Sequence, residues 1–360
     1  MTQLRPAKPS GKVRAARLTD LAALGELSRL CENDAAGGRS LGLPVSGPRI
    51  GVFSLFRLPL GAFRPNDLLF VYEEERRVAG LVRVERESHR DDWTIVELDG
   101  IAGLAGAGAG DIRFRLVQQV LREGQKRGAA RFHVACTDVG GNVELFMQAG
   151  FVRYGAEKVL HRDGSLPLPE PWTEERAALA GIRAARPVDA VALMRLYGVV
   201  TPAPVQRLEG LRIPDWERQG SSWRVPRSSL APLLRFADIE AHVLEAADGD
   251  LAGFVQIGVA HEDQPHYLRV MGRPEADLTA LVDFGLGEIQ ARTSKNDRQA
   301  QHGVIAPVRT YEAPLDRRLE DAGFNDITTL TLLLKETLVR VAEPAMVPAG
   351  VRSLEVTRGS

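Results

Sequence analysis

Apolar residues recur along this chain at two spacings, and the spacings predict its elements. Residues 13–17 read as a short strand. Thr19 or Asp20 then offers an N-cap to a helix with Leu21, Leu24, Leu27 and Cys31 on one face and Leu30 at its edge. Gly and Pro thicken over 37–65, around the apolar stretch IGVFSLF. A loop or short helical excursion is expected there, where a substrate-specific insertion would sit. Strands are predicted at 68–73, 78–87 and 93–98, the second alternating apolar and charged residues as a half-exposed strand does. After a Gly/Ala-rich loop over 100–110, a helix is predicted over 112–127. It carries Leu116, Val117, Val120 and Leu121 on one face, and Gly128 ends it. A strand at 131–136, a short helix at 142–148 and a strand at 151–161 complete the first half.

The order then repeats. Beyond the Pro-rich LPLPEP (166–171), a stiff linker, come a strand (182–186), a helix (188–197) and an irregular stretch (201–232). Strands at 242–246 and 251–259 flank a hairpin at Asp248-Gly249-Asp250. Strand 266–271, helix 276–292, strand 303–308, helix 314–321 and strand 328–334 follow. The residues repeat as well. Over 13–27 the chain reads VRAARLTDLAALGEL, and over 182–196 it reads IRAARPVDAVALMRL, an offset of 169. Val78-Ala79-Gly80-Leu81-Val82 is echoed by Leu251-Ala252-Gly253-Phe254-Val255, and Ala149-Gly150-Phe151 by Ala322-Gly323-Phe324, at an offset of 173. These are two copies of one domain, since small solenoid repeats have periods of roughly 20–50 residues. The expected organisation is a flexible leader (1–11), a first domain (12–162), a linker (163–180), a second domain (181–341) and a tail (342–360).

Composition narrows the class. At 360 residues the chain suits two domains, and 44% apolar with 26% charged residues is ordinary for a soluble globular protein. A formal net charge of −1 gives no global drive toward nucleic acid or an anionic membrane, although Arg greatly outnumbers Lys. No apolar run approaches the roughly 20 residues of a membrane span, and the N-terminus lacks the apolar region of a secretory signal. Cys31 and Cys136 lie far apart in one copy without counterparts in the other, so buried free thiols in a reducing cytoplasm are expected. Without C-x-x-C, H-x-x-x-H or H-E-x-x-H spacing, no metal is expected.

The element order in each copy, the helix ending Arg127-Gly128, the strand ARFHVACT and the phrase LFMQAGF together resemble the GNAT superfamily of N-acyltransferases, over roughly 12–162 and 181–340. The resemblance implies an α/β (α+β) chain of two tandem GNAT-like domains, each a mixed, largely antiparallel sheet flanked by helices. It also implies acetyl-CoA as co-substrate, lying where the fourth and fifth strands splay apart, its pyrophosphate on the N–H groups that open the long helix. The family pattern there is Gln/Arg-x-x-Gly-x-Gly/Ala. Counted back from Arg127-Gly128, its glycines fall on Asp111 and Arg113. Gly106, Gly108 and Gly110 allow close backbone approach just upstream, and Arg113 and Arg115 offer charge to phosphate. The alternative is a plain connector, with Asp111 as helix N-cap. In the second copy the stretch MGRPEADLTALV is acidic and lacks the glycine cluster, so no ordinary pyrophosphate seat is expected there.

The resemblance places a general base at Glu97, with Asp99 on the same face as its neighbour. The alternative for Glu97 is an exposed strand residue. The family's thiolate-protonating Tyr falls on Phe146 in the first copy and Leu319 in the second, and neither can donate a proton. Tyr154 is a substitute or simply a packed tyrosine. His133 and Cys136, three apart on one strand, face opposite ways and form no nucleophile pair. The expected function is acetyl transfer to a small-molecule amine, by the first copy. The alternative is a catalytically silent tandem protein serving binding or dimerisation, and a homodimer is left open.

Overall fold

The computed structural model describes residues 11–33, 67–87, 90–104, 107–218, 225–230, 234, 236–260, 264–294 and 302–337. The apolar stretch within 37–65, Gly106 and the tail beyond 341 lie outside the described residues. The first half runs β1 (Lys12–Ala15), α1 (Leu21–Asn33), β2 (Asp67–Glu74), β3 (Arg77–Arg86), β4 (Asp92–Gly100), α2 (Ala109–Lys126), β5 (Arg131–Thr137), α3 (Asn142–Gln148) and β6 (Val152–Arg162). After α4 (Glu174–Leu179), the second half runs β7 (Ile182–Ala184), α5 (Ala190–Val200), α6 (Ala203–Glu209), α7 (Ile213–Glu217), β8 (Phe236–Glu245), β9 (Leu251–Ala260), β10 (His266–Gly272), α8 (Leu278–Thr293), β11 (Val304–Arg309), α9 (Ala313–Asp321) and β12 (Phe324–Glu336).

Among the described residues, twelve strands form one sheet, in the order β1-β2-β3-β4-β5-β12-β6-β11-β10-β9-β8-β7. Only β4–β5 and β10–β11 are parallel; the other neighbours are antiparallel. The two halves exchange their last strands. β12 lies between β5 and β6, and β6 lies between β12 and β11. Leu333 of β12 therefore packs in the core of the first half, and Leu160 of β6 in the core of the second. The repeated blocks around Gly80 and Gly253 occupy equivalent strands, β3 and β9.

Two layers cover the first half's sheet. α1 packs Leu24, Leu27 and Cys31 on Leu69, Val71 and Leu81. α2 packs Ile112, Leu116, Val117 and Val120 on Val82, Val84, Trp93 and Leu98 on the other face. The approach is close: a Cβ at Gly124 would lie 2.2 Å from the Phe132 ring. Gly128 takes a positive φ of 79° beyond the helix end.

Parts of the structure differ from the sequence pattern. The stretch 201–232 contains the short helices α6 and α7, whose few apolar positions give no readable period. β8 begins at Phe236 and β12 at Phe324, earlier than expected: Asp238, Glu240, Asn325 and Asp326 interrupt the apolar pattern yet pair along the sheet, and Phe236 and Phe324 pack. The linker docks on α8: Trp172 donates its indole N–H to Asp283 at 2.7 Å and meets Phe284 edge-on at 5.8 Å.

Candidate active site

In each half the parallel pair parts. The β4–β5 ladder holds Asp92–Ile95 against Arg131–Val134 and then ends. The β10–β11 ladder holds only His266–Tyr267 against Val304–Ile305. Glu97 and Asp99 stand on β4 just past the parting. A bulge between Arg83/Glu97 and Val84/Ile95 sets their register, with Leu81 opposite Asp99 and Arg83 opposite Glu97. Cross-strand partners share a face, and Leu81 belongs to the cluster beneath α1. Both carboxylates thus face the α1 side. Glu97 is 6% exposed and Asp99 fully buried, so Glu97 is not the exposed strand residue of the alternative reading. Arg83 donates Nε–H to Glu97 Oε2 at 3.2 Å and lies 3.7 Å from Asp67.

The residues grouped as a phosphate site occupy different settings. α2 begins at Ala109, three residues earlier than the pattern predicts, so Gly110 lies inside its first turn, exposed. Gly108 is the N-cap, and Asp111, at the third helical position, accepts the Gly108 N–H at 3.4 Å. The reading of Asp111 as N-cap is corrected accordingly. Arg113 is buried and turned away from the helix end, donating Nη1–H to Asn142 Oδ1 at 3.3 Å. Asn142 opens α3, so this contact bridges the helix that follows β4 and the helix that follows β5, across the parting. Arg115 is half-buried on α2.

Phe146 is fully buried against Phe151, ring centroids 5.3 Å apart, and Leu319 is buried likewise. Tyr154 is half-buried on β6. Burial pushes its hydroxyl up to about 12, and its charged neighbours are Arg309, Glu209 and Arg227. It belongs to the junction of the halves.

The parting in the second half holds a cavity of about 110 Å³. It is lined by Val200, Met271, Gly272, Leu278, Tyr311 and Leu315, among others, at the end of β10 and the starts of α8 and α9. The α8 N-terminus is closed by Asp277, whose carboxylate accepts the Ala280 N–H at 2.9 Å. Both long helices therefore spend an acidic side chain on their own first turns.

A buried ionic network at the junction has no linear signature. Arg309 lies 3.2 Å from Glu157 and 2.8 Å from Glu209, and Tyr197 donates to Glu209 at 2.7 Å. Arg227 lies 2.6 Å from Glu87 and 3.1 Å from Asp92, which lies 2.7 Å from Arg90 and 3.4 Å from His133. Burial would raise the Asp92 carboxyl, but His133, Arg227 and Arg90 hold it well below the usual range.

Antiparallel strands leading to a parallel pair that parts, with a long helix entering from the parting, make the GNAT fold, and this chain contains it twice. A tandem GNAT protein from the clavulanic acid biosynthesis pathway, solved without AcCoA, aligns over 91% of this chain and 98% of its own at 13% identity and a TM-score of 0.54. A GCN5-related N-acetyltransferase from Sphaerobacter thermophilus aligns over 91% and 96% at 15% identity and a TM-score of 0.50. The glucosamine N-acetyltransferase region of a fungal multi-domain β-N-acetylglucosaminidase aligns over 91% of this chain and 38% of that one, at 12% identity and a TM-score of 0.52. At these identities the likeness is one of fold. No protein-family profile and no curated protein sequence matches the chain. Among the described residues, no helix is long and apolar enough to cross a membrane.

Proposed function

We propose that this protein is an acyl-CoA-dependent N-acyltransferase whose first half transfers an acetyl group to a small-molecule amine. The observation that carries the reading is the pair Glu97 and Asp99, buried on β4 where it leaves β5, inside a tandem GNAT fold. Glu97 takes a proton from the substrate ammonium. The freed amine attacks the thioester carbonyl to form the C–N bond; the C–S bond then breaks, and the second nitrogen proton passes to water as the CoA thiolate leaves. Arg83 orients the Glu97 carboxylate. Phe146 has no hydroxyl, so the thiolate takes its proton from water. Gly108 and Gly110 bring the α2 backbone to the pyrophosphate. We place it in the cytoplasm, a reducing setting that suits buried thiols such as that of Cys136.

A second reading, a catalytically silent binding module, is favoured by the Arg113–Asn142 bridge and by Asp111 at the α2 start. One experiment separates the two. Acetyl-CoA is titrated calorimetrically into the whole chain, and acetyl transfer to a panel of amines is followed. The enzyme reading expects binding, turnover that falls about 10²–10⁴-fold in Glu97→Gln with acetyl-CoA affinity unchanged, and faster turnover in Phe146→Tyr. A folded protein that acetylates no amine in any of these forms leaves the silent module.

A further inference from the structure

Away from either parting, three potential metal ligands converge between β8 and α8. Glu240 and His242 are two apart on β8 and share a face. Glu288 meets them from α8, and one ligand atom from each residue lies within 4.8 Å of the others. His242 is 9% exposed, and its Nδ1 is buried with no hydrogen-bond partner. Its ring stands edge-on to Phe284, centroids 4.8 Å apart. A buried imidazole nitrogen without a partner is costly unless something binds it.

The internal repeat sharpens the point. Leu244 pairs with Gly253 as Tyr72 pairs with Gly80. Counting back along each strand, His242 corresponds to Phe70 and Glu240 to Leu68. In the first half Phe70 is buried in the core and Leu68 packs against it. The second half has exchanged two apolar core-facing residues for a histidine and a carboxylate, and has set a second carboxylate above them.

We propose that Glu240, His242 and Glu288 form a binding site for a divalent transition-metal ion, zinc being the ion that their donor set fits. One imidazole nitrogen and two carboxylate oxygens make a three-ligand set with an open fourth position. Tetrahedral ligands on bonds of about 2.0–2.2 Å stand roughly 3.4 Å apart, so the two glutamates close inward by side-chain rotation. Arg292 now neutralises the carboxylates: its Nε–H reaches Glu240 Oε1 at 3.0 Å, and its Nη groups reach Glu240 Oε2 and Glu288 Oε2. Asp238 lies 3.9 Å from it. Arg292 holds both oxygens of Glu240, so the metal displaces its Nε–H from Oε1, and the guanidinium keeps Glu240 Oε2 and Glu288 Oε2 and orients the ligands. The ion would pin β8 to α8.

The test uses the full chain, stripped with a chelator. Zinc is titrated by calorimetry, and cobalt(II) by the visible absorption that reports tetrahedral coordination. One equivalent of zinc is expected to bind and to raise the melting temperature. His242→Phe, which restores the first half's residue and keeps the contact with Phe284, is expected to weaken zinc by more than about tenfold, and Glu288→Gln likewise. Circular dichroism confirms that both variants fold. The proposal is overturned if the folded wild type shows no saturable binding of either ion, or if His242→Phe binds zinc as tightly as the wild type.

Discussion

Arg14 grips Asp20 through Nη1 and Nη2 at 2.7 and 2.8 Å, while Asp20 also accepts the Arg17 N–H at 2.7 Å. Arg183, Asp189 and Arg186 repeat the arrangement at 2.8, 2.9 and 2.7 Å. Arg14 reaches on to Glu73 on β2, and Arg183 to Glu245 on β8. The most repetitive motif in the chain is therefore a clamp that ties the first strand of each half to its first helix and to the next strand. Such bidentate, charge-assisted contacts persist because of their geometry, and no ligand is needed to explain them. His133 gives a prediction at the same scale. Burial and the Arg227 guanidinium hold its imidazole down to about 4, against the pull of Asp92. Below pH 6.5 the unfolded imidazole takes a proton that the folded one refuses until about pH 4. Stability should therefore be complete above pH 6.5 and fall by up to about 1.4 kcal/mol per pH unit between 6.5 and 4. Urea melts at pH 7.5 and 4.5 should show a wild-type loss about 2–3 kcal/mol larger than that of His133→Gln; equal losses would clear His133 of the effect.

Among the elements, the start of α2 decides between an enzyme and a silent module. A helix N-terminus favours an anion through its unpaired N–H groups and its dipole. Here the anion is the chain's own Asp111, folded back on Gly108. On the proposed reading, acetyl-CoA would have to displace or tolerate that carboxylate. Asp111→Ala is expected to tighten acetyl-CoA about 3–10-fold in calorimetry, at a cost of about 0.5–1 kcal/mol in folding stability. Unchanged affinity would remove the α2 start as the pyrophosphate seat.

At the scale of the whole molecule, the exchange of β6 and β12 makes the halves interdependent. β12 brings buried Leu330, Leu332, Leu333 and Leu334 into the middle of the sheet. At about 1.5–3 kcal/mol for each buried leucine, the strand contributes roughly 6–12 kcal/mol, as much as the net stability of an ordinary domain. A chain ending at Gly323 would also bare the edges of β5 and β6. It is expected not to fold, and a separate 324–337 peptide should restore the structure. Amide protection of β5 in the truncated chain without the peptide would contradict the interdependence. The ionic network adds to this coupling, since losing Arg309 would leave Glu157 and Glu209 buried without their cation.

The sequence by itself determined what is local or repeated. The 3.6-residue period of α2, the alternation of β3, the positive-φ stop at Gly128 and the two copies were all legible, because each depends on neighbours a few residues apart. The paired carboxylates of β4 were legible as a pair, since two-residue spacing sets a common face. Their burial was not, because it depends on α1 and on Arg83 across the bulge. Tertiary structure alone decided the exchange of strands, since β12 pairs as well with its own half's neighbours by pattern as with β5 and β6. It alone turned Arg113 from the helix end to Asn142, across the parting. It alone brought Glu288 on α8 over Glu240 and His242 on β8. A ligand set or an ion pair is a statement about space, and residues far apart in the chain acquire it only when the core between them has closed.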